Sequence, residues 1–265
     1  MQEIKTIEEV HSILLDIVVS FHDVCKRNNI PYYLVYGSML GAVRHKGFIP
    51  WDDDIDVAIE HKYYNVLLNA LRADLPSKYR VLTRYDKNGP VGGYLKIEDS
   101  TTLICESCRK STERSGLFLD IFSLYPATGN TSLFSKYSLI KILRFIQVSK
   151  YFRHSHSKLP MRILQICISI TFFWIKRYYV INFIEKFLIP QKGSYLCTYA
   201  TIYNKKDIIP KEVYGTPKEY AFEDKTLMGV QDYEDYLSAI YGDYMTLPCK
   251  ENRRVHLQKV YKNII

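Results

Sequence analysis

Nowhere does an apolar run reach the roughly twenty residues that a membrane-spanning helix requires; the most apolar stretch, Ile163 to Ile175, stops at thirteen. The start, MQEIKTIEEV, has no apolar signal-peptide core, and the six cysteines are scattered, which predicts a reducing, cytoplasmic setting rather than a disulfide framework. Cys105 and Cys108 form one C-x-x-C, but no second pair follows at metal spacing. A zinc site needs about four ligands, so structural zinc is not expected. Acids are missing as well: residues 131 to 192 hold eleven Lys and Arg against the single acid Glu185. The formal charge of +8 is therefore local, because the remainder has 25 bases and 27 acids. That distribution removes most of the support for a nucleic-acid-binding surface, and no nucleic-acid partner is expected.

What is present is enough apolar residue, 47% of 265, to bury one large core with a smaller region appended. Ile7, Val10, Ile13, Leu14, Ile17, Val18, Phe21 and Val24 recur at threes and fours, which predicts an amphipathic helix ending at Asn28-Asn29 before Pro31. Tyr32 to Tyr36 reads as a buried strand, and Gly37-Ser38 as a turn into a short helix through about Arg44. Asp54 to Ile59 alternates acid and apolar residues, a strand with both carboxylates on one face. A helix from His61 and further strands at Tyr79 to Arg84, Gly93 to Ile97, Thr101 to Cys105 and Leu117 to Phe122 complete an α/β (α+β) pattern, a mixed sheet flanked by helices.

Residues 1–130 and 193–265 are expected to form the catalytic core, with 131–192 a basic, apolar helical insertion between them. Lys and Arg flanking aromatic and aliphatic side chains suit a helix lying in the headgroup layer of an anionic membrane. The plainer alternative is a helix pair packed on the core with its basic edges in water.

Four aspartates lie within Asp52 to Asp56. Clustered carboxylates repel unless a cation sits among them, so the cluster is either a solvated loop or a divalent-cation site. Asp54 and Asp56 alternate with Ile55, Val57 and Ile59, and Asp120 stands among Leu117, Phe118, Leu119, Ile121 and Phe122. A charge so surrounded is costly without a partner. If the two segments are neighbours, Asp54, Asp56 and Asp120 converge on one or two ions of the kind used in phosphoryl transfer. Gly37-Ser38 opening a helix then offers backbone N–H groups, a helix dipole and a hydroxyl to a phosphate. Asp52 and Asp53 either support the ligands from behind or cap the Pro50-Trp51 turn. Lys96 is an isolated cation on a predicted strand, positioned to reach a donor phosphate or to snorkel to the surface. His154 and His156 read as solvated or lipid-facing, and His256 has no identified partner.

A glycine-serine turn followed at about fifteen residues by Asp-apolar-Asp matches the nucleotidyltransferase fold. The fuller pattern, Gly37-Ser38-x-Leu40-Gly41-x-x-Arg44-x-x-Gly47-x-Ile49-x-Trp51-Asp52-Asp53-Asp54-x-Asp56, closely resembles the signature of the LicD family of phosphotransferases. Gly116 to Phe122 is similar to that family's second acidic strand, and Tyr241-Gly242-Asp243-Tyr244-Met245 with Pro248, Arg253 and His256 to its carboxy-terminal motif. Ser123-Leu124-Tyr125 and Cys249 depart from the family pattern without touching the carboxylates. The resemblance implies transfer of phosphocholine, or a related phospho-alcohol, from CDP-choline or a similar CDP-alcohol to a sugar hydroxyl. The acceptor would be a lipid-linked glycan precursor of teichoic acid or lipopolysaccharide type at the inner face of the cell membrane. It implies Mg²⁺ (or Mn²⁺) on Asp54, Asp56 and Asp120, and donor contacts from Gly37, Ser38 and Arg44. Two alternatives stand beside it: nucleotidyl transfer from a nucleoside triphosphate, and a non-catalytic membrane-associated component.

Overall fold

The computed structural model describes residues 2–86, 89–90, 92, 94–106, 115–129, 136–151, 159–189, 192–199, 204–249, 251, 253 and 257–263. Gly93, Cys108, His154, His156 and His256 lie outside the described residues.

The chain opens with β1 (Gln2–Ile4) and α1 (Ile7–Arg27). The Thr6 hydroxyl caps α1 by accepting the Glu9 N–H at 3.3 Å, with Glu8 and Glu9 in the first turn and Lys26 and Arg27 in the last, both suited to the helix dipole. Leu14, Ile17, Val18 and Phe21 on its inner stripe are fully buried, each stabilising the fold by roughly 1.5 to 3 kcal/mol. There follow β2 (Tyr33–Leu34), α2 (Tyr36–His45), β3 (Asp56–Glu60), α3 (Tyr64–Asp74), β4 (Tyr79–Leu82), β5 (Leu95–Asp99), β6 (Thr102–Glu106) and β7 (Phe118–Ala127). The basic stretch supplies α4 (Lys136–Tyr151), α5 (Leu159–Thr171), α6 (Arg177–Phe183) and a π turn (Ile184–Leu188). The chain closes with β8 (Tyr195–Cys197), β9 (Ile209–Pro210), α7 (Lys211–Tyr214), β10 (Lys218–Phe222), β11 (Lys225–Gly229), α8 (Tyr233–Tyr241) and β12 (Leu257–Lys262).

The main mixed sheet runs β10-β11-β2-β3-β7-β5-β4, with β8 added to the far half of β7 and β9 beside it. Its centre is the parallel pair β3 and β7, flanked by antiparallel β2 and β5. Strands from both ends of the sequence thus share one sheet, and α1 lies across β5, β7 and β11.

Three features differ from the sequence expectations. β2 is only two residues long, because Tyr36 takes a left-handed backbone (φ 50°) and already starts α2. The strand at Thr102 is not in the mixed sheet but joins β1 and β12 in a separate antiparallel sheet. β7 continues through Ser123-Leu124-Tyr125 to Ala127, and its far half builds a second apolar cluster with α4, the π turn and β8 through Tyr125, Ile140, Ile184 and Cys197. The basic stretch is accordingly divided. Its α4 is core-packed with Arg144 and Gln147 buried, while α5 buries only Gln165.

Candidate active site

The two acidic strands are neighbours. In the parallel register of β3 and β7, Asp56 stands opposite Asp120, and on the other flank Lys96 of β5 stands opposite Asp120. Adjacent strands lie about 4.8 Å apart and opposed side chains share a face, so Asp56, Asp120 and Lys96 form one row. Val57, Ile121 and Leu95 fill the other face and are buried. Asp54 precedes the first paired residue of β3; the Asp120 N–H donates to the Ile55 carbonyl at 3.2 Å, carrying the pairing one residue past the start of β3. Ile55 and Val57 are buried, while Asp54 and Asp56 are half-buried.

Lys96 does not snorkel. Its side chain is 6% exposed, its ammonium lies 3.3 Å from Asp120 Oδ1 and it sits over the Phe118 ring. A charged partner this close offsets the cost of holding Asp120 among apolar residues. Among the described residues, no three His, Cys, Asp or Glu side chains close around one point as a preformed metal cage. That is still the donor set for Mg²⁺, which prefers hard oxygens and is usually held by one or two carboxylates together with substrate phosphates. Asp56 and Asp120 fit it in kind and in register.

The turn facing this row is held from inside the protein. Tyr36 donates its hydroxyl to Asp207 Oδ1 at 2.7 Å and lies 3.3 Å from Thr198 Oγ1, while Thr198 donates to Asp207 Oδ2 at 3.1 Å. The Tyr36 N–H donates to the Tyr236 hydroxyl at 3.2 Å. Burial pushes the Asp207 carboxyl up to about 6, with the Tyr36 hydrogen bond, the Lys141 charge and the Thr198 hydrogen bond pulling the other way. A bulky residue at positive φ costs roughly 1 to 3 kcal/mol and persists only where its surroundings over-determine it; these hydrogen bonds do so at the residue before Gly37. A Cβ on Gly37 would stand 2.8 Å from Asp52 Oδ2, so glycine lets the acidic loop press against the first turn of α2. Ser38 Oγ accepts the Asp56 N–H at 2.8 Å, tying that turn to the acidic strand.

Sequence reasoning missed Tyr36, Asp207, Thr198, Tyr94, Phe122, Lys141 and Arg144. Tyr94 and Phe122 pack at 4.8 Å between ring centres beside the acidic row, and Tyr36 meets Phe122 edge-on at 5.5 Å. Lys141 and Arg144 of α4 point inward, and burial lowers the pKa of both. Only Tyr36 had a signal in the chain, its place directly before Gly37-Ser38.

A family profile described as the LicD/FKTN/FKRP nucleotidyltransferase domain matches residues 29–166, more than half of the chain. A lipopolysaccharide cholinephosphotransferase LicD of Haemophilus influenzae is 30% identical over 265 residues, covering 97% of this chain and 98% of the relative. The chain belongs to the LicD family. Uncharacterised proteins of Rickettsia prowazekii and Rickettsia typhi are each 45% identical over 49 residues, 18% of this chain and 18% and 16% of theirs.

Several residues of the LicD signature make contacts that hold the site's loops together. A Cβ on Gly41 would meet the Gly47 carbonyl at 2.4 Å, and one on Gly47 would meet Glu223 Oε1 at 2.1 Å. Glu223 lies in the β10–β11 turn and accepts the Phe48 N–H at 2.9 Å, which locks the loop after α2. Arg44 donates to the Tyr244 carbonyl at 2.9 Å and to the His45 ring at 3.0 Å. Arg253 stacks on Trp51 at 4.0 Å. Both contacts bring the carboxy-terminal LicD motif against the amino-terminal one, across some 200 residues of chain.

Proposed function

We propose that this LicD-family chain is a metal-dependent transferase moving phosphocholine, or a related phospho-alcohol, from a CDP-alcohol to a sugar hydroxyl. The acceptor is a lipid-linked glycan precursor of lipopolysaccharide or teichoic acid type at the inner face of the cell membrane, and CMP is released. The observation that carries this choice of reaction is the near full-length similarity to a protein named as a lipopolysaccharide cholinephosphotransferase. The acidic row of Asp56, Asp120 and Lys96 supports the chemistry.

In this reading Asp54, Asp56 and Asp120 hold Mg²⁺ or Mn²⁺, which when bound neutralises charge on the donor diphosphate. The first-turn amides of α2 at Gly37 and Ser38 and the Ser38 hydroxyl donate to phosphate oxygens, and Lys96 adds positive charge from the β5 side. Arg44 acts by holding Tyr244 and with it the carboxy-terminal motif. The acceptor oxygen bonds to the phosphorus that carries choline, the bridging oxygen leaves with CMP, and the hydroxyl proton passes to Asp120.

The test is purified protein with Mg²⁺, CDP-choline and a glycan acceptor, with CMP as the readout. Acceptor-dependent CMP release is expected. Inertness toward CDP-alcohols, with pyrophosphate released from ATP or CTP, would replace this reading by nucleotidyl transfer, the second reading that the family profile's description favours.

A further inference from the structure

α5 is an amphipathic helix turned inside out. Leu159, Ile163, Ile166 and Ile170 recur at four, three and four residues, the spacing of one helix face, yet they are 70%, 53%, 47% and 68% exposed. The residue that α5 buries is a glutamine, Gln165. The following turn adds Phe173 and Trp174, 76% and 67% exposed, and α6 and the π turn add Tyr179, Phe183 and Phe187. Of the eighteen exposed large hydrophobic residues described, fourteen fall between Leu139 and Phe187. Monomeric soluble proteins rarely expose large apolar patches to water, and here the exposed apolar side chains are concentrated in one stretch of the chain.

We infer that the face of α5 and the Phe172–Ile175 turn docks on an anionic lipid bilayer, entering only the headgroup and upper acyl layer. No helix of the described residues is long and apolar enough to cross a membrane, so this element lies in the interface. Charge selects the partner. Lys136, Arg162, Lys176, Lys186 and Lys192 of the same stretch are exposed. The stretch's one acid, Glu185, is bound inward by Arg84 and Tyr125 at 2.5 Å each. A second copy of the chain would bring cations against cations, whereas anionic headgroups attract them over a Debye length of about 8 to 10 Å. The docking surface rests on the transferase reading for its purpose, meeting a lipid-linked acceptor, but its binding is separable from the chemistry.

The experiment is co-sedimentation of the full chain with vesicles of phosphatidylcholine alone or mixed with phosphatidylglycerol. Wild type is compared with I170S/F173S and with V66D, which changes an exposed apolar residue outside the face. Wild type and V66D should bind the mixed vesicles, more weakly in pure phosphatidylcholine or at high salt, and I170S/F173S should partition at least tenfold less. A milder variant, W174S, should lose several-fold. CMP release with a water-soluble acceptor should persist in all of them, so failure of the transferase reading registers separately. Equal partition of wild type and I170S/F173S would overturn the inference. So would a wild-type dimer in solution that I170S/F173S converts to monomer, because the face would then belong to a second copy.

Discussion

Replacing Tyr36 with Phe removes one oxygen and tests how the turn before Gly37 is held. The hydroxyl donates at 2.7 Å to Asp207, which is 1% exposed and whose carboxyl is pushed up to about 6. A hydrogen bond to a charged group contributes about 1.5 to 3 kcal/mol and one between neutral groups about 1 kcal/mol. At pH 8 Asp207 is ionised, and Tyr36→Phe should cost about 2 to 3 kcal/mol; at pH 4.5 the carboxyl is protonated and the cost should fall to about 1 kcal/mol. The sign follows from proton linkage. A carboxyl raised above its ordinary value binds more protons in the native state, so the Asp207 contribution to stability falls as pH rises from about 4 through about 6. Tyr36→Phe removes a bond that favours the charged form, which steepens that fall and extends it upward. Urea denaturation between pH 4.5 and 8 reads this directly, and Asp207→Asn should flatten the slope and remove most of the pH dependence of the Tyr36→Phe penalty. An equal penalty at both pH values, or a slope untouched by Asp207→Asn, would refute the reasoning. Because Tyr36 sits at φ 50°, its release should also let Gly37-Ser38 shift, raising the donor KM more than it lowers kcat.

Gly41→Ala drives a Cβ to within 2.4 Å of the Gly47 carbonyl and should lower stability by about 2 to 3 kcal/mol, seen as a lower thermal midpoint. Arg84→Met strips a buried partner from Glu185, which it contacts at 2.5 Å, and should cost about 3 to 5 kcal/mol in denaturant; changing Glu185 to Leu as well should restore much of it. Ser38→Ala leaves the Asp56 N–H without its 2.8 Å acceptor and should cost about 1 kcal/mol of stability and several-fold in donor affinity.

The parts of the fold legible in the chain were those with strong period. The α1 stripe, the acid-apolar alternation at Asp56 and the apolar run around Asp120 each report a local pattern that burial enforces. The β2 strand was overrun because nothing in Tyr32 to Tyr36 announces the left-handed backbone at Tyr36, which is fixed by Asp207 and Thr198 far along the sequence. The hairpin of β10 and β11 and the β1–β12 pairing are long-range contacts with weak local signal. The inward turn of Lys141 and Arg144 was hidden in a stretch whose composition suggests only a cationic surface. The acidic row depends on register, which sequence spacing does not determine.

Calorimetric titration of CDP-choline, with and without Mg²⁺, into wild type, Asp56→Asn and Asp120→Asn tests most directly whether the two opposed carboxylates share a cation that grips the donor. Binding that requires the cation and weakens at least about 100-fold in both variants, equivalent to about 2.7 kcal/mol, is expected, with both variants still folded. Equal, cation-independent affinity in all three proteins would contradict it.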